Sequence, residues 1–181
     1  MSFETLPDLL LPGLDVVFVG INPSVYSAEC GRYFARPGNK FWPALSRSVL
    51  SARARSGLGV DVLTPEHDRL LQGFGIGFTD VVKRPTPSAA DLKRSELRDG
   101  VAHLLEKLRA FAPRMACFHG ITGYRSVHEF LAGKNVTVSL GLQAAHVGTT
   151  RIFLAPNPSG ANAHFSRDEQ VCWYDALAAA L

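Results

Sequence analysis

Asp15-Val16-Val17-Phe18-Val19-Gly20-Ile21-Asn22-Pro23-Ser24 carries an apolar run that stops at a glycine and passes into a polar, proline-bearing turn. Val16 to Val19 are four consecutive apolar residues, three of them β-branched, with no polar alternation. A strand covered on both faces in a parallel sheet reads this way. Gly20 lets backbone approach closely and Pro23 forbids the strand to continue, so Asn22 is delivered to a surface. The amides around Ile21 to Ser24 are then expected to be free of the ladder and open to a ligand.

A second stretch, Arg151-Ile152-Phe153-Leu154-Ala155-Pro156-Asn157-Pro158-Ser159-Gly160-Ala161-Asn162, repeats the grammar: a short apolar strand ends in Asn-Pro-Ser. In open α/β sheets ligands bind beyond the carboxyl ends of strands, so two such turns are placed to line one crevice. Asn-Pro is also plain turn chemistry, and either turn alone reads equally well that way. The pair weakens that reading.

The chain has 181 residues, 46% hydrophobic and 19% charged, enough for one domain with a full core over residues 1–181. Its formal charge of +3 is compatible with an anionic partner without demonstrating one. Cys30, Cys117 and Cys172 are odd in number, far apart and include no Cys-x-x-Cys pair. That argues against a disulfide framework, a zinc site or an iron–sulfur cluster, and for a reducing cytosol. Met1 to Asp8 is acidic and proline-broken rather than a signal peptide, and no apolar run is long enough to span a bilayer. A soluble, cytoplasmic protein is expected.

Between the two turns, strand, loop and helix alternate. Val25 to Asn39 lacks periodicity and mixes Tyr26, Tyr33 and Phe34 with Arg32 and Arg36, as a functional or core-covering loop does. Asn39 can cap a helix from near Lys40 with Phe41, Leu45 and Val49 on one face, followed by a flexible connection through Gly57-Leu58-Gly59. Thr64-Pro65-Glu66 starts another helix through Leu70, Leu71 and Phe74. Gly73, Gly75 and Gly77 follow a helix and precede a strand, the wrong order for a dinucleotide fingerprint.

Ile76 to Val82 reads as a strand running into Lys83-Arg84-Pro85-Thr86. Asp80 within it is open to two readings, a loop-capping aspartate or a general base in the crevice. Leu92 to Ala112 is a long amphipathic helix ended by Pro113; Met115 to Gly120 is a strand, with His119 as a strand-end structural histidine; a helix follows through Tyr124 to Gly133. Val136 to Leu140 and Ala145 to Gly148 read as edge elements. Ser166 and Glu169 form the capping box of a last helix bearing Val171, Trp173, Tyr174, Leu177 and Leu181. The alternation predicts an α/β fold, a three-layer α/β/α sandwich around a central, mainly parallel sheet. Asn22, Asp80, His119 and Asn157 then fall near strand carboxyl ends.

Gly20 to Ser24, Tyr33 to Trp42, Gly77 to Thr86 and Pro156 to Gly160 resemble, in order and spacing, the successive motifs of the mismatch-specific uracil-DNA and thymine-DNA glycosylase family. The resemblance spans nearly the whole chain. It implies a uracil-DNA glycosylase superfamily fold and a monomeric enzyme without metal or other cofactor. It also implies removal of uracil or related bases from double-stranded DNA, especially opposite guanine, in base excision repair. It carries Asn22 onto the catalytic asparagine and Phe34 onto the aromatic that stacks on the extruded base, with Ile21 and Ser27 beside that base. Asn157, Pro158, Ser159, Gly160, Ala161 and Asn162 fall on the loop that enters the helix.

The chemistry suits these residue types. Flipping a base out of a duplex costs about a few kcal/mol, less for a mismatched pair, which favours G·U over A·U. An amide such as Asn22 offers a donor and an acceptor to a pyrimidine edge, or holds the attacking water. It is not basic enough to take a proton from that water, whereas Asp80 is, and an ionised carboxylate also stabilises the cationic sugar. Asp80 stands where relatives carry other residues, so the resemblance does not assign its role. Ala161 stands where relatives carry a bulky wedge, so the gap in the stack falls to backbone, Asn162 or His164. Lys83 and Arg84 are the preferred phosphate contacts. The rival readings are a non-catalytic binder of damaged or mismatched DNA and a nucleotide-binding enzyme acting on free metabolites.

Overall fold

The computed structural model describes residues 5–133 and 137–181. Five strands, β1 (Val16–Gly20), β2 (Ile76–Asp80), β3 (Met115–His119), β4 (Gly141–Val147) and β5 (Thr150–Ala155), form one sheet in the order β2-β1-β3-β5-β4. The first four in that order run parallel, and β4 pairs antiparallel with β5 at the edge. The unbroken apolar run of β1 has the predicted cause. Val16 and Phe18 enter one core cluster, and Val17 and Val19 enter the other on the opposite face.

Helices cover both faces. α2 (Phe41–Arg47), α3 (Ala52–Leu58) and α6 (Arg167–Ala180) pack with Phe18, Phe78 and Phe153. α4 (Arg94–Phe111) and α5 (Ile121–Ala132) pack with Val17, Ala116 and Ile152. The result is the three-layer α/β arrangement that the alternation predicts. Among the described residues no helix is long and apolar enough to cross a membrane. The edge of β2 is covered rather than open: Leu9 and Phe78 exchange backbone hydrogen bonds of 2.9 and 3.0 Å, so the N-terminal segment straps that strand.

Several elements differ from the sequence reading. Val25 to Cys30 is a helix, α1, capped by the Ser24 hydroxyl and closed by Gly31 in the left-handed region; six residues are too few to show a period. The N-cap of α2 is Lys40 rather than Asn39, whose Oδ1 instead accepts from the Phe41 amide at 2.9 Å from one residue before the cap; α2 ends at Arg47 and leaves Val49 63% exposed. The flexible connection contains α3 instead. Thr64 to Phe74 is not one α-helix but two 3-10 turns, Pro65–His67 and Leu70–Phe74. The His67 ring turns back to Thr64, accepting from its amide at 3.0 Å. β2 stops at Asp80 rather than Val82. The edge strand is β4; residues 137–140 before it are irregular, and Val136 lies outside the described residues.

Candidate active site

The register brings Asp80 of β2, Gly20 of β1, His119 of β3 and Ala155 of β5 into one row at the carboxyl ends of four adjacent parallel strands. Over this row opens a cavity of about 360 Å³, whose lining includes Asn22, Ser27, Phe34, Asp80, Thr86 and Asn157. Gly20 is what keeps it open. A Cβ added there would overlap Asp80 Oδ1, so the carboxylate leans over the glycine into the gap.

Asn22 has a defined orientation. Its Nδ2 donates to the Thr86 hydroxyl at 2.7 Å and the Arg84 carbonyl at 2.9 Å. Thr86 Oγ1 donates its own proton to the Ser88 carbonyl at 2.7 Å, so toward Asn22 it can only accept. The amide nitrogen is therefore committed to the loop after β2, and Oδ1 has no donor among the described residues. Of the two roles open to this amide, the arrangement suits holding water rather than reading a base edge with donor and acceptor together. The N–H groups of Ile21 and Asn22 meet no protein acceptor among the described residues.

Phe34 sits in the left-handed region at φ 53°, a conformation that costs a bulky residue about 1–3 kcal/mol. Hydrogen bonds on both sides hold it there. The Tyr33 amide donates to Asp68 Oδ2 at 3.1 Å, Trp42 Nε1 donates to the Tyr33 carbonyl at 2.9 Å, and the Ala35 amide donates to Ser27 Oγ at 3.2 Å. Ser27 is buried at the cavity wall and so acts on the Phe34 segment as well as lining the site. One face of the Phe34 ring stacks on Phe41 at 4.1 Å and 16°.

Asp80 is 4% exposed, and its one salt-bridge partner among the described residues is Lys83, at 3.5 Å. No backbone amide bonds to its carboxylate among the described residues, which sets aside the loop-capping reading. Burial pushes its carboxyl up to about 6, against the pull of Lys83. His119, across Gly20, accords with the structural reading: its Nε2 meets the Tyr174 hydroxyl at 3.0 Å, its ring stacks on Phe18 at 5.4 Å, and burial lowers its pKa to about 3.

The second Asn-Pro-Ser turn closes the far wall. Asn157 Oδ1 accepts from the Ser159 amide at 3.0 Å, and Asn157, Pro158, Ser159 and Ala161 all line the cavity. The loop is stitched to the segment after Phe34. The Lys40 amide donates to the Pro158 carbonyl at 2.8 Å, and its ammonium donates to the carbonyls of Asn162 and Phe165, each at 2.5 Å. Gly160 lies against Gly38, where an added Cβ would come within 2.7 Å of the Gly38 carbonyl. Asn162 turns its Nδ2 back to the Asn157 carbonyl at 2.9 Å, bracing the loop.

Lys83 and Arg84, expected at phosphates, are engaged within the protein. Lys83 Nζ pairs with Asp8 at 2.8 Å, and Arg84 grips Glu96 with two nitrogens at 2.6 and 2.9 Å, holding that carboxyl down to about 2. The sequence reading missed Tyr33 and Thr86 in the cavity lining, and Asp8 behind it, joined to Asp80 through Lys83. Thr86 lies inside a quoted motif and Tyr33 adjoins Phe34, so both carried a signal. Asp8 sits in a non-periodic segment and carried none.

The chain as a whole is similar to known proteins. Residues 7–179 match the model of the uracil DNA glycosylase superfamily. The fold resembles a solution NMR structure from Methanosarcina acetivorans, a protein provisionally assigned as a uracil DNA glycosylase, with a TM-score of 0.58 and 20% sequence identity. The alignment covers 98% of this chain and 99% of that one. With the motif turns lining one cavity and the family match running almost from end to end, the chain belongs to the uracil DNA glycosylase superfamily.

Proposed function

We infer that the protein is a monofunctional DNA glycosylase that extrudes uracil from double-stranded DNA, preferentially opposite guanine, and hydrolyses the N-glycosidic bond to leave an abasic site. The observation that carries this reading is the convergence on one cavity of an aromatic face, a free amide oxygen and a buried carboxylate, supplied by Phe34, Asn22 and Asp80. The extruded ring stacks on the face of Phe34 turned away from Phe41. Asn22 Oδ1 accepts from a water and holds it beside the sugar carbon.

As the bond to the base breaks, its electron pair leaves with the base and the sugar becomes oxocarbenium-like. The Ile21 and Asn22 amides, without a protein acceptor among the described residues, take the departing negative charge. The Asp80 carboxylate stabilises the cationic sugar and accepts the proton that the water loses as it bonds to the sugar carbon. With its pKa near 6, Asp80 is ionised at neutral pH yet basic enough for that transfer. Preference for a mismatched pair follows from the lower cost of extrusion, and the small Ala161 offers little apolar wedge to meet that cost from a well-paired duplex.

Single-turnover excision from G·U, A·U and undamaged duplexes tests the reading, with abasic sites revealed by alkaline strand cleavage. The wild type is expected to cut G·U fastest. Asn22→Ala should reduce its rate by about 10²-fold or more, as loss of a water-positioning group does. A wild type that binds G·U duplex tightly yet cuts no damaged base would make the non-catalytic binder the better reading.

A further inference from the structure

The basicity of Asp80 depends on a cation that it shares. Lys83 Nζ lies 2.8 Å from Asp8 Oδ1, 3.2 Å from the Tyr33 hydroxyl and 3.5 Å from Asp80 Oδ2. The closest carboxylate to this ammonium is thus Asp8, not Asp80. Asp8 in turn accepts from Thr79 Oγ1 at 2.7 Å and pairs with Lys107 of α4 at 2.5 Å. Burial pushes the Asp8 carboxyl up, but hydrogen bonds from Lys107 and Lys83 outweigh it and hold Asp8 below its ordinary range. It therefore remains an anion over the range in which Asp80 titrates.

The remaining groups around Asp80 do not change charge there. The Tyr33 phenol, on the connection between α1 and α2, is raised by burial and stays protonated. His119 on β3 is neutral, and the Arg32–Asp68 pair at 2.7 Å stands behind Tyr33 as a fixed couple. Asp8 itself is held in place. It lies on the strap that pairs with β2, with the Pro7 carbonyl accepting from the Tyr33 hydroxyl at 3.0 Å and Thr5 Oγ1 donating to the Lys83 carbonyl. Asp8 and Asp80 therefore share the Lys83 ammonium, with Asp8 the nearer and holding Lys107 besides.

Resting on the glycosylase reading above, we propose that Asp8 is a positioning residue for catalysis: by drawing Lys83 toward itself it leaves Asp80 basic enough to take a proton from water, and so sets the acid limb of the pH–rate profile. The signs follow from the geometry. Removing the Asp8 charge takes a like charge away from Asp80 and releases Lys83 toward it, and both effects make Asp80 a weaker base. Removing Lys83 does the opposite. Removing Lys107 leaves Lys83 as the sole ammonium on Asp8 among the described residues, draws it further from Asp80 and strengthens the base.

The test follows single-turnover excision of G·U duplex from pH 5 to 8 and, in parallel, the titration of the Asp80 carboxyl by ¹³C NMR. Asp8→Asn is expected to move both midpoints down by roughly one pH unit, and Lys83→Met to move them up by a similar amount. Lys107→Met, at a partly exposed position on α4, should move them up by less, and Lys83→Arg should return them to the wild-type value. A purely structural role would lower rates without moving a midpoint. Coincident midpoints in wild type, Asp8→Asn and Lys107→Met overturn the proposal. If the NMR midpoints move as stated while no base is cut, the charge sharing stands and the glycosylase reading fails. Cleavage with unmoved midpoints upholds that reading and sinks the role of Asp8.

Discussion

In the glycosylase proposed above, Asp80 works against the interest of the fold. Its folded-state pKa of about 6 lies above the ordinary 3.8, so the native state holds the Asp80 proton more tightly than the unfolded chain does. That favours folding fully below the ordinary value, and the benefit is lost as pH rises through about 6. A shift of roughly two units makes an ionised Asp80 a cost of about 1–3 kcal/mol at neutral pH. Asp80→Asn is therefore expected to raise the thermal midpoint at pH 7 while the gain shrinks toward pH 4; a destabilised variant at pH 7 would contradict this. Phe34→Ala is expected to weaken capture of the extruded base by about 1–3 kcal/mol. That would appear as a raised half-saturation concentration for G·U duplex with abasic-product affinity unchanged. That Asn22, Phe34 and Asp80 line one cavity was legible from a strand stopped by Gly-Ile-Asn-Pro, a carboxylate on a buried strand and, for Phe34, the motif resemblance. The partners of Lys83 and Arg84 were not, because a lysine displays its charge in the sequence but not the direction of its flexible stem.

The elements that position the site are mostly turns, and their stitching matters more than their propensity. Lys40 ties the loop after β5 to the segment after Phe34 through two carbonyls at 2.5 Å. Lys40→Met should loosen that loop by about 1.5–3 kcal/mol. Amide exchange at Ser159 and Asn162 should then quicken while β1 and β3 keep their protection; unchanged exchange at those loop amides would show that the tie does not hold the loop. The strands and the long helices could be read from the sequence because burial on both faces gives β1 an unbroken apolar run, and burial on one face gives α4 and α6 a helical repeat over many residues. α1 and the 3-10 turns at Pro65–His67 and Leu70–Phe74 escaped because elements this short are set by caps and packing rather than by a hydrophobic repeat. The strap of Leu9 on Phe78 was equally invisible, since one backbone exchange needs no particular side chain.

At the scale of the molecule, a mainly parallel sheet with its two Asn-Pro-Ser turns at one end gathers the candidate site residues beyond the carboxyl ends of the strands. The order of motifs along the chain was enough to place that edge. What the chain could not show is how its modest charge of +3 is distributed once folded. Because Lys83 is held by Asp8, and Arg84 by Glu96, Lys83→Met is expected to leave the salt dependence of duplex binding unchanged. A lost phosphate contact would instead reduce the slope by about 0.9. The central claim is that a buried carboxylate beside a water-holding asparagine cleaves the glycosidic bond. Single-turnover excision of uracil opposite guanine, measured from pH 5 to 8 with wild type and Asp80→Asn, tests it most directly. The wild-type rate is expected to fall below a midpoint near 6, and the variant to be slower by about 10²–10⁴-fold with that limb gone. A variant that cuts as fast as the wild type, with the same limb, would contradict it.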